Sequence, residues 1–412
     1  MAHQIKLNAT SSSRKRFDNY RRIVLALSLL LTSRTVIQAQ TRHVSSTVNQ
    51  GAAPSCTVQG AQEERTLESG THIERALTGG NSHSYRVALT PGQYLHVSVE
   101  QRGLDVVVAL RGPDGAPLSE MDGLRGLAGV EELSWEAASA GLYVLEVRAK
   151  AQAANAARYE VRVQKAAAAT QRDRARVAAQ RLFMEAVSKE AEARGAGLER
   201  AVKKYGEAVE QWKLAGERKW EGQTLHNIGN LYRNASQFAK AADNYALALT
   251  VRREIKDRDG EAATLNALGT LHWRLSQNEQ ARGYYEQSLA IWRETRNRYG
   301  EGATLHNLGN VHSNLSQYEQ ARESFEQALA IRRETGDREG TGATLNGLGV
   351  LYWRLKKSEK ALAYYEQALA IRRETGDRRS EGQTLNNLGV VYRDLSQNEK
   401  ARDYYEQALS IM

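Results

Sequence analysis

Thr304-Leu305-His306-Asn307-Leu308-Gly309, followed twelve residues after the glycine by Ala321-Arg322-Glu323-Ser324-Phe325, decides the architecture of this 412-residue chain. The glycine recurs every 40 residues, at Gly229, Gly269, Gly309, Gly349 and Gly389, each preceded by Leu or Ile. Ala241, Ala281, Ala321, Ala361 and Ala401 keep the same spacing, and an aromatic stands four residues further on at Tyr245, Tyr285, Phe325, Tyr365 and Tyr405. Copies 301–331 and 381–411 agree at 19 of 31 positions, so the period is a true repeat. A weaker copy precedes them, keeping Ala201, Tyr205 and Ala208 but with Lys189 in the glycine's place. Six helix pairs are expected.

Within each unit the apolar positions fit two helices. Leu305, Leu308, Gly309 and His312 fall on one helical face, as do Ala321, Phe325, Ala328 and Leu329. Ser276 to Glu279, Ser316 to Glu319 and Ser396 to Glu399 read as capping boxes opening the second helix. Gly336-Asp337 and Gly376-Asp377 combine a helix-ending glycine with an N-cap aspartate. A glycine inside a helix costs about 0.8–1 kcal/mol against alanine. Five of them persist only where the missing side chain lets a neighbouring helix approach. His272 and His312, in the place of a packing tyrosine, read as core residues. One hairpin cannot bury its own apolar face, whereas a stack of hairpins builds a continuous core.

Leu-Gly, then Tyr232, Tyr352 and Tyr392, then the alanines and aromatics, resembles the tetratricopeptide repeat, in the long 40-residue form of kinesin light chains. Leu replaces the usual first-helix Trp, and the second helix lengthens through Ile331-Arg332-Arg333-Glu334 where a proline would close the short form. The resemblance implies an α-solenoid that binds peptides or proteins.

Proline marks the other half. Pro54, Pro91, Pro113 and Pro117 are all four prolines, and the last 295 residues have none, as helix requires. Tyr85–Leu89, Tyr94–Val99, Val106–Leu110, Leu142–Val147 and Tyr159–Val163 are short alternating runs separated by turn residues such as Pro91-Gly92 and Pro113-Asp114-Gly115. Seven to nine such strands predict an antiparallel β-sandwich. Gly103 to Leu110, Gly112-Pro113-Asp114-Gly115 and Ala140-Gly141-Leu142-Tyr143 resemble the bacterial pre-peptidase C-terminal domain, a jelly-roll-like sandwich of exported proteins. The fold class is therefore multidomain, an antiparallel β-sandwich followed by an all-α superhelical solenoid. Asp105, Asp114 and Asp122 could ligate calcium, as in some relatives, although turn formation is the commoner role of such acids.

The net charge of +9 is concentrated at the start: residues 1–40 carry +6 and the other 372 only +3, so nucleic acid is not an expected partner. Arg21-Arg22 precedes nine apolar-rich residues, Ile23 to Leu31, too few to span a bilayer but suited to a signal-peptide core. Export to the periplasm or medium is expected, with cleavage near Ala39 or Gln40 and no membrane span afterwards. The expected organisation is a signal peptide over 1–40, a linker over 41–56, the sandwich over 57–165, a linker helix with a degenerate first repeat over 166–219, and five tetratricopeptide repeats over 220–412, the last incomplete.

Little in the chain suggests catalysis. There is no His-Glu-x-x-His, no phosphate-binding Gly-x-x-x-x-Gly-Lys-Ser/Thr and no Gly-x-Ser-x-Gly, and the single cysteine, Cys56, falls in the linker. Gly123, Gly126 and Gly129 form a glycine-rich loop with no helix after it. His226 and His306 stand two repeats apart, too far for a metal pair. No enzyme, cofactor or metal is expected. The arrangement also resembles bacterial proteins that end in a caspase-like CHAT peptidase. The alternative is thus the substrate-recognition half of such a peptidase, its catalytic domain beyond Met412. A last repeat without a capping helix leaves self-association open as a further expectation.

Candidate binding residues lie on the first helix of each repeat, at positions expected to point away from the second. They are His226, Asn227, Asn230 and Arg233; Asn266, Trp273 and Arg274; His306, Asn307 and Asn310; Asn346, Trp353 and Arg354; and Asn386, Asn387 and Arg393. A row of amides can hydrogen-bond the backbone of an extended peptide whatever its sequence, with Trp and Arg as anchors.

Overall fold

The structure is a computed structural model and describes residues 65–103, 105–122, 128–150, 157–190 and 195–411. The expected signal peptide, linker, Cys56, Gly123 and Gly126 lie outside the described residues.

Alternating sequence in the first half gives nine strands among the described residues: β1 (Arg65–Thr66), β2 (His72–Leu77), β3 (Ser82–Leu89), β4 (Gln93–Arg102), β5 (Val106–Arg111), β6 (Pro117–Met121), β7 (Ala128–Glu136), β8 (Gly141–Ala149) and β9 (Ala157–Ala168). They form two sheets, one in the order β1-β3-β8-β5-β6 and one in the order β2-β9-β4-β7. Neighbours are antiparallel except β1, which runs parallel to β3. Period two places Tyr143, Leu145 and Val147 of β8 inward, facing Leu95, Val97 and Val99 of β4 across the core. Gly92 turns β3 into β4 at φ +79°, a conformation that side chains resist. In the turn from β5 to β6 Asp114 Oδ1 accepts the Ala116 N–H at 3.0 Å, and Lys150 Nζ lies 3.1 Å from Asp105 and 2.6 Å from Asp122. One acid is a turn former, and a lysine ammonium already sits between the other two.

β4 is buried on both faces, because helices cover the outer side of its sheet. Tyr94, His96 and Ser98 point outward and are still buried. The covering helix α1 (Gln171–Glu190) opens with a reciprocal cap: Thr170 N–H donates to Asp173 Oδ2 at 3.0 Å, and Asp173 N–H to Thr170 Oγ1 at 3.3 Å. α1 pairs with α2 (Ala196–Ala215), and one buried apolar cluster runs from Leu67 in the sandwich through Phe183, Tyr205 and Trp212 to Val251.

Five further hairpins follow: α3 (Arg218–Asn234) with α4 (Phe238–Glu254), α5 (Arg258–Arg274) with α6 (Asn278–Thr295), α7 (Arg298–Asn314) with α8 (Tyr318–Glu334), α9 (Arg338–Arg354) with α10 (Ser358–Thr375), and α11 (Arg378–Asp394) with α12 (Asn398–Ile411). The described residues thus hold twelve helices in six pairs. The periodic glycine is explained by contact. A β-carbon on Gly309 would lie 2.7 Å from the Phe325 ring, and one on Gly229 would lie 2.5 Å from Tyr245. The aromatic of the second helix lies on the bare backbone of the first.

The turns correct two expectations. Ser236, Ser276, Ser316 and Ser396 do not cap the second helices; they occupy the left-handed region at φ 59–62°, and the residue after each, such as Gln277, precedes the helix without a side-chain cap. Tightness of the turn between paired helices decides this: the serine N–H reaches back to the carbonyl three residues earlier, as Ser276 does to Trp273. Between units the aspartates do cap, Asp337 Oδ1 accepting Gly340 N–H at 2.8 Å and Asp377 Oδ1 accepting Ser380 N–H at 3.1 Å. His272 and His312 are half-buried rather than core. His272 stacks on Tyr284 of the second helix with ring centres 5.1 Å apart, and both histidines bond the turn glutamine, Gln277 or Gln317.

Candidate functional site

The first helices are stitched edge to edge by a repeated contact. A threonine buried in each one reaches the polar side chain at the same position of the preceding repeat. Thr264 Oγ1 lies 3.4 Å from His226 Nδ1, Thr304 Oγ1 3.3 Å from Asn266 Oδ1, Thr344 Oγ1 3.4 Å from His306 Nδ1 and Thr384 Oγ1 3.4 Å from Asn346 Oδ1. The rail therefore alternates His, Asn, His, Asn. Asn307 Nδ2 also donates to Asn266 Oδ1 at 3.1 Å, and Asn387 Nδ2 to Asn346 Oδ1 at 3.1 Å. In each amide pair the inner oxygen is used up. Asn266 Nδ2 and Asn307 Oδ1 keep no partner among the described residues, and both residues are half-exposed.

Burial, helped by cations beneath the rail, keeps its histidines neutral. Burial, and then Arg332 and Arg372, push His306 down to about 3, while burial with Arg252 and Arg233 lowers His226. Asn310 Nδ2 approaches His306 Nε2 at 3.1 Å, which makes Nε2 the acceptor and puts the ring proton on Nδ1. The arginines are themselves buried. Arg252 donates from Nη1 to Gly260 O and Thr264 Oγ1, both at 2.6 Å, and from Nη2 to Gln223 Oε1 at 2.8 Å. Burial lowers its guanidinium to about 10, with Asp257 opposing the shift.

The predicted residues divide between the open face and the helix ends. His226, Asn230, Arg233 and Asn266 come together in a recess of about 310 Å³ that spans three successive first helices. Asn227 Oδ1 accepts from Gln223 at 2.9 Å. The expectation that Asn230 points away from the second helix is corrected: Tyr245 of that helix donates to Asn230 Oδ1 at 2.8 Å, because the ring above Gly229 carries its hydroxyl to the next turn. Arg274 donates to the Arg233 carbonyl at 3.5 Å and Arg354 to the Ser313 carbonyl at 3.0 Å, so each closes the end of the preceding first helix. Trp353 Nε1 donates to Asp394 at 2.8 Å, a carboxylate that Arg393 also holds at 2.9 Å. Trp273 is partly exposed and Asn386 is exposed.

Sequence reasoning missed Trp292, Asn297 and Tyr299, which line the same recess. A signal existed. Positions 252, 332 and 372 are arginine with aspartate five residues on, whereas the copy between them has Trp292 and Asn297. The contact of the predicted sandwich with the helices was not foreseen either. Trp220 Nε1 donates to Glu132 of β7 at 2.7 Å, and a cleft of about 560 Å³ opens between the sheet, at Glu100, Glu160 and Arg162, and the helices, at Arg252, Asp259 and Trp292. The first end of the amide-bearing face is thus walled by the sandwich. The recess at Asn266, lined by no residue of the sandwich, lies beyond it.

Stacked hairpins with a glycine–aromatic seam and a polar first-helix face define an α-solenoid of interaction-repeat type. More narrowly, residues 220–294, 300–374 and 340–412 match the Tetratricopeptide repeat family model, and these residues carry tetratricopeptide repeats. No curated protein matches the chain. Among solved structures, BtubC (BKLC) from P. vanneervenii is 25% identical, with a TM-score of 0.42 over 57% of this chain and 91% of that one. Aspartyl phosphate phosphatase F from Bacillus subtilis is 16% identical, with a TM-score of 0.47 over 58% and 71%. A putative kinesin light chain from Podosopora anserina is 22% identical, with a TM-score of 0.39 over 46% and 93%. Among the described residues no helix is long and apolar enough to cross a membrane, and no group of three or more His, Cys, Asp or Glu could hold a metal ion.

Proposed function

We propose that this protein is an exported, non-catalytic scaffold that holds an extended peptide segment of a partner protein along its first-helix face. The carrying observation is the paired amide. Asn266 Nδ2 offers a donor and Asn307 Oδ1 an acceptor, held in fixed relation by the bond between the two residues. One peptide group has one N–H and one C=O, so a pair of this kind matches it. Asn346 and Asn387 repeat the pair 80 residues on. Recognition of main chain by preset amides accepts many sequences, and the recess beside Trp292 and Tyr299 adds a pocket for one side chain. Export rests on the basic stretch before Ile23 to Leu31.

The test is selection of random extended peptides on the full chain, followed by affinity measurement. Asn307→Ala with Asn387→Ala is expected to weaken the selected peptides at least about tenfold, as loss of two hydrogen bonds allows, with the melting temperature lowered by no more than a few degrees for the two half-exposed bonds between repeats. Selected peptides that ignore the double substitution would show that the amide face is not the binding surface. A periplasmic reporter fused after residue 60 checks export, and silence of that reporter in the envelope would remove it.

A further inference from the structure

The open side of the sandwich carries a second recess, independent of the solenoid face. β6 and β7 are the edge strands of their two sheets, and α1 lies across the opening between them. There a groove of about 490 Å³ is walled by Leu118, Trp135, Val177, Ala178 and Met184, within the size range of small-molecule sites. Gln180 also lines it and is 3% exposed. Its Oε1 accepts the Ser134 N–H of the β7 edge at 2.8 Å, which fixes the amide plane. Its Nε2 is buried with no hydrogen-bond partner among the described residues, and so is the indole Nε1 of Trp135. Two unpartnered donors thus belong to residues that line one apolar recess, whereas the large majority of buried side-chain polar atoms are paired.

Charge narrows the ligand. The arginines at the rim are engaged: Arg174 lies 3.0 Å from Glu136 and Arg181 3.7 Å from Glu185. An ionised carboxylate in the groove would be taken out of water beside arginines that Glu136 and Glu185 already answer, which is costly. A carbonyl oxygen accepts from both donors without that penalty. We propose that this groove binds a small uncharged apolar molecule of the medium-chain acyl amide or ester class, its carbonyl oxygen accepting from Gln180 Nε2 with Trp135 Nε1 as the second donor.

The test is calorimetric titration of the full chain with octanamide, octanoate and octylammonium, which share a tail and differ at the head. Octanamide is expected to bind one per chain, at least about tenfold tighter than either ion. Trp135→Phe, which keeps the ring and removes the donor, should weaken octanamide by up to about tenfold. Ala178→Leu, which fills the groove from α1, should abolish binding. Both variants are checked for an unchanged thermal transition. Should Trp135→Phe fail to fold, Ala178→Leu alone decides. No octanamide binding up to millimolar concentration, equal binding of the three probes, or binding that ignores Ala178→Leu would each overturn the assignment.

Discussion

Asn307 Nδ2 donates to Asn266 Oδ1 at 3.1 Å across the boundary between adjacent repeats. The same oxygen takes the Thr304 hydroxyl at 3.3 Å, so Asn266 joins two repeats while its own amide nitrogen stays free. One residue thus has a structural end and a ligand-facing end. That division separates stability from binding, and substitutions can tell the two apart.

Asn266→Asp keeps the acceptor oxygens that Thr304 and Asn307 use and removes the free donor. It should leave the thermal transition within a degree or two and weaken selected peptides by about tenfold, the scale of one hydrogen bond. Asn266→Ala should lower both, since it leaves the fully buried Thr304 hydroxyl only its 3.5 Å contact with Ser288. Parallel loss in both variants would mean that the amide nitrogen plays no part in capture.

The glycine seam gives a second pair of opposed outcomes. Gly309→Ala places a β-carbon 2.7 Å from Phe325, which is 1% exposed and has no room to retreat. Overpacking of this kind costs roughly 1–3 kcal/mol, more than the roughly 0.8–1 kcal/mol of helix propensity gained. The variant should melt lower, and Phe325→Leu should restore part of the loss. On α6, a β-carbon added at Gly283 would meet nothing within 4 Å, so Gly283→Ala should gain stability by propensity alone. Circular dichroism melts of the two single variants check the contrast.

The repeat made this seam legible in the sequence, since a 40-residue period fixes which glycine meets which aromatic. The strands from Tyr85 to Val163 were legible for a similar reason, an alternation bounded by turn residues. The serine turns were not. Ser276-Gln-Asn-Glu279 has the residues of a capping box, but the carbonyls left open at the end of the first helix draw the Ser276 N–H back and place serine at φ 61°. The position of the sandwich was also hidden, because Glu132 and Trp220 are 88 residues apart and neither breaks a local pattern. The amide row was visible as residue types, yet only tertiary contact shows which end of each amide is already used.

Trp292 and Asn297 form a natural exchange within the repeats, standing where Arg252, Arg332 and Arg372 are each followed by an aspartate. Trp292 lies over Gly300, where a β-carbon would be 2.5 Å from the indole. Trp292→Arg alone would bury a guanidinium beside Asn297, which has no charge to answer it. Trp292→Arg with Asn297→Asp rebuilds the pair seen at Arg332 and Asp337, 3.7 Å apart. The double variant should recover at least about 1 kcal/mol of the single variant's loss, measured as a coupling energy in a double-mutant cycle by urea titration. It should also lose the peptides selected on the native chain, because the recess at Trp292 would be refilled. Retention of those peptides by the double variant would remove Trp292 from the binding face.

The histidines of the rail give the protein an acid limit. His306 has an ordinary pKa of 6.5 and is pushed down to about 3, by burial first and then by Arg332 and Arg372. His226 moves the same way, through burial, Arg252 and Arg233. Unfolded, both rings take up a proton near pH 6.5; folded, His306 does not until about pH 3. Across that window the unfolded chain binds more protons, so stability falls as pH drops from 6.5 towards 3 and is complete above 6.5. The slope approaches about 1.4 kcal/mol per pH unit for each histidine. Asparagine already occupies the equivalent positions 266, 346 and 386, and at 266 and 346 it accepts from Thr304 and Thr384, the counterparts of the threonines that meet the histidines. His226→Asn with His306→Asn should therefore melt close to the native chain at pH 8 and lose less between pH 8 and pH 5. Thermal melts at the two pH values decide the matter, and an identical fall in both proteins would mean that these imidazoles take up protons without leaving the rail.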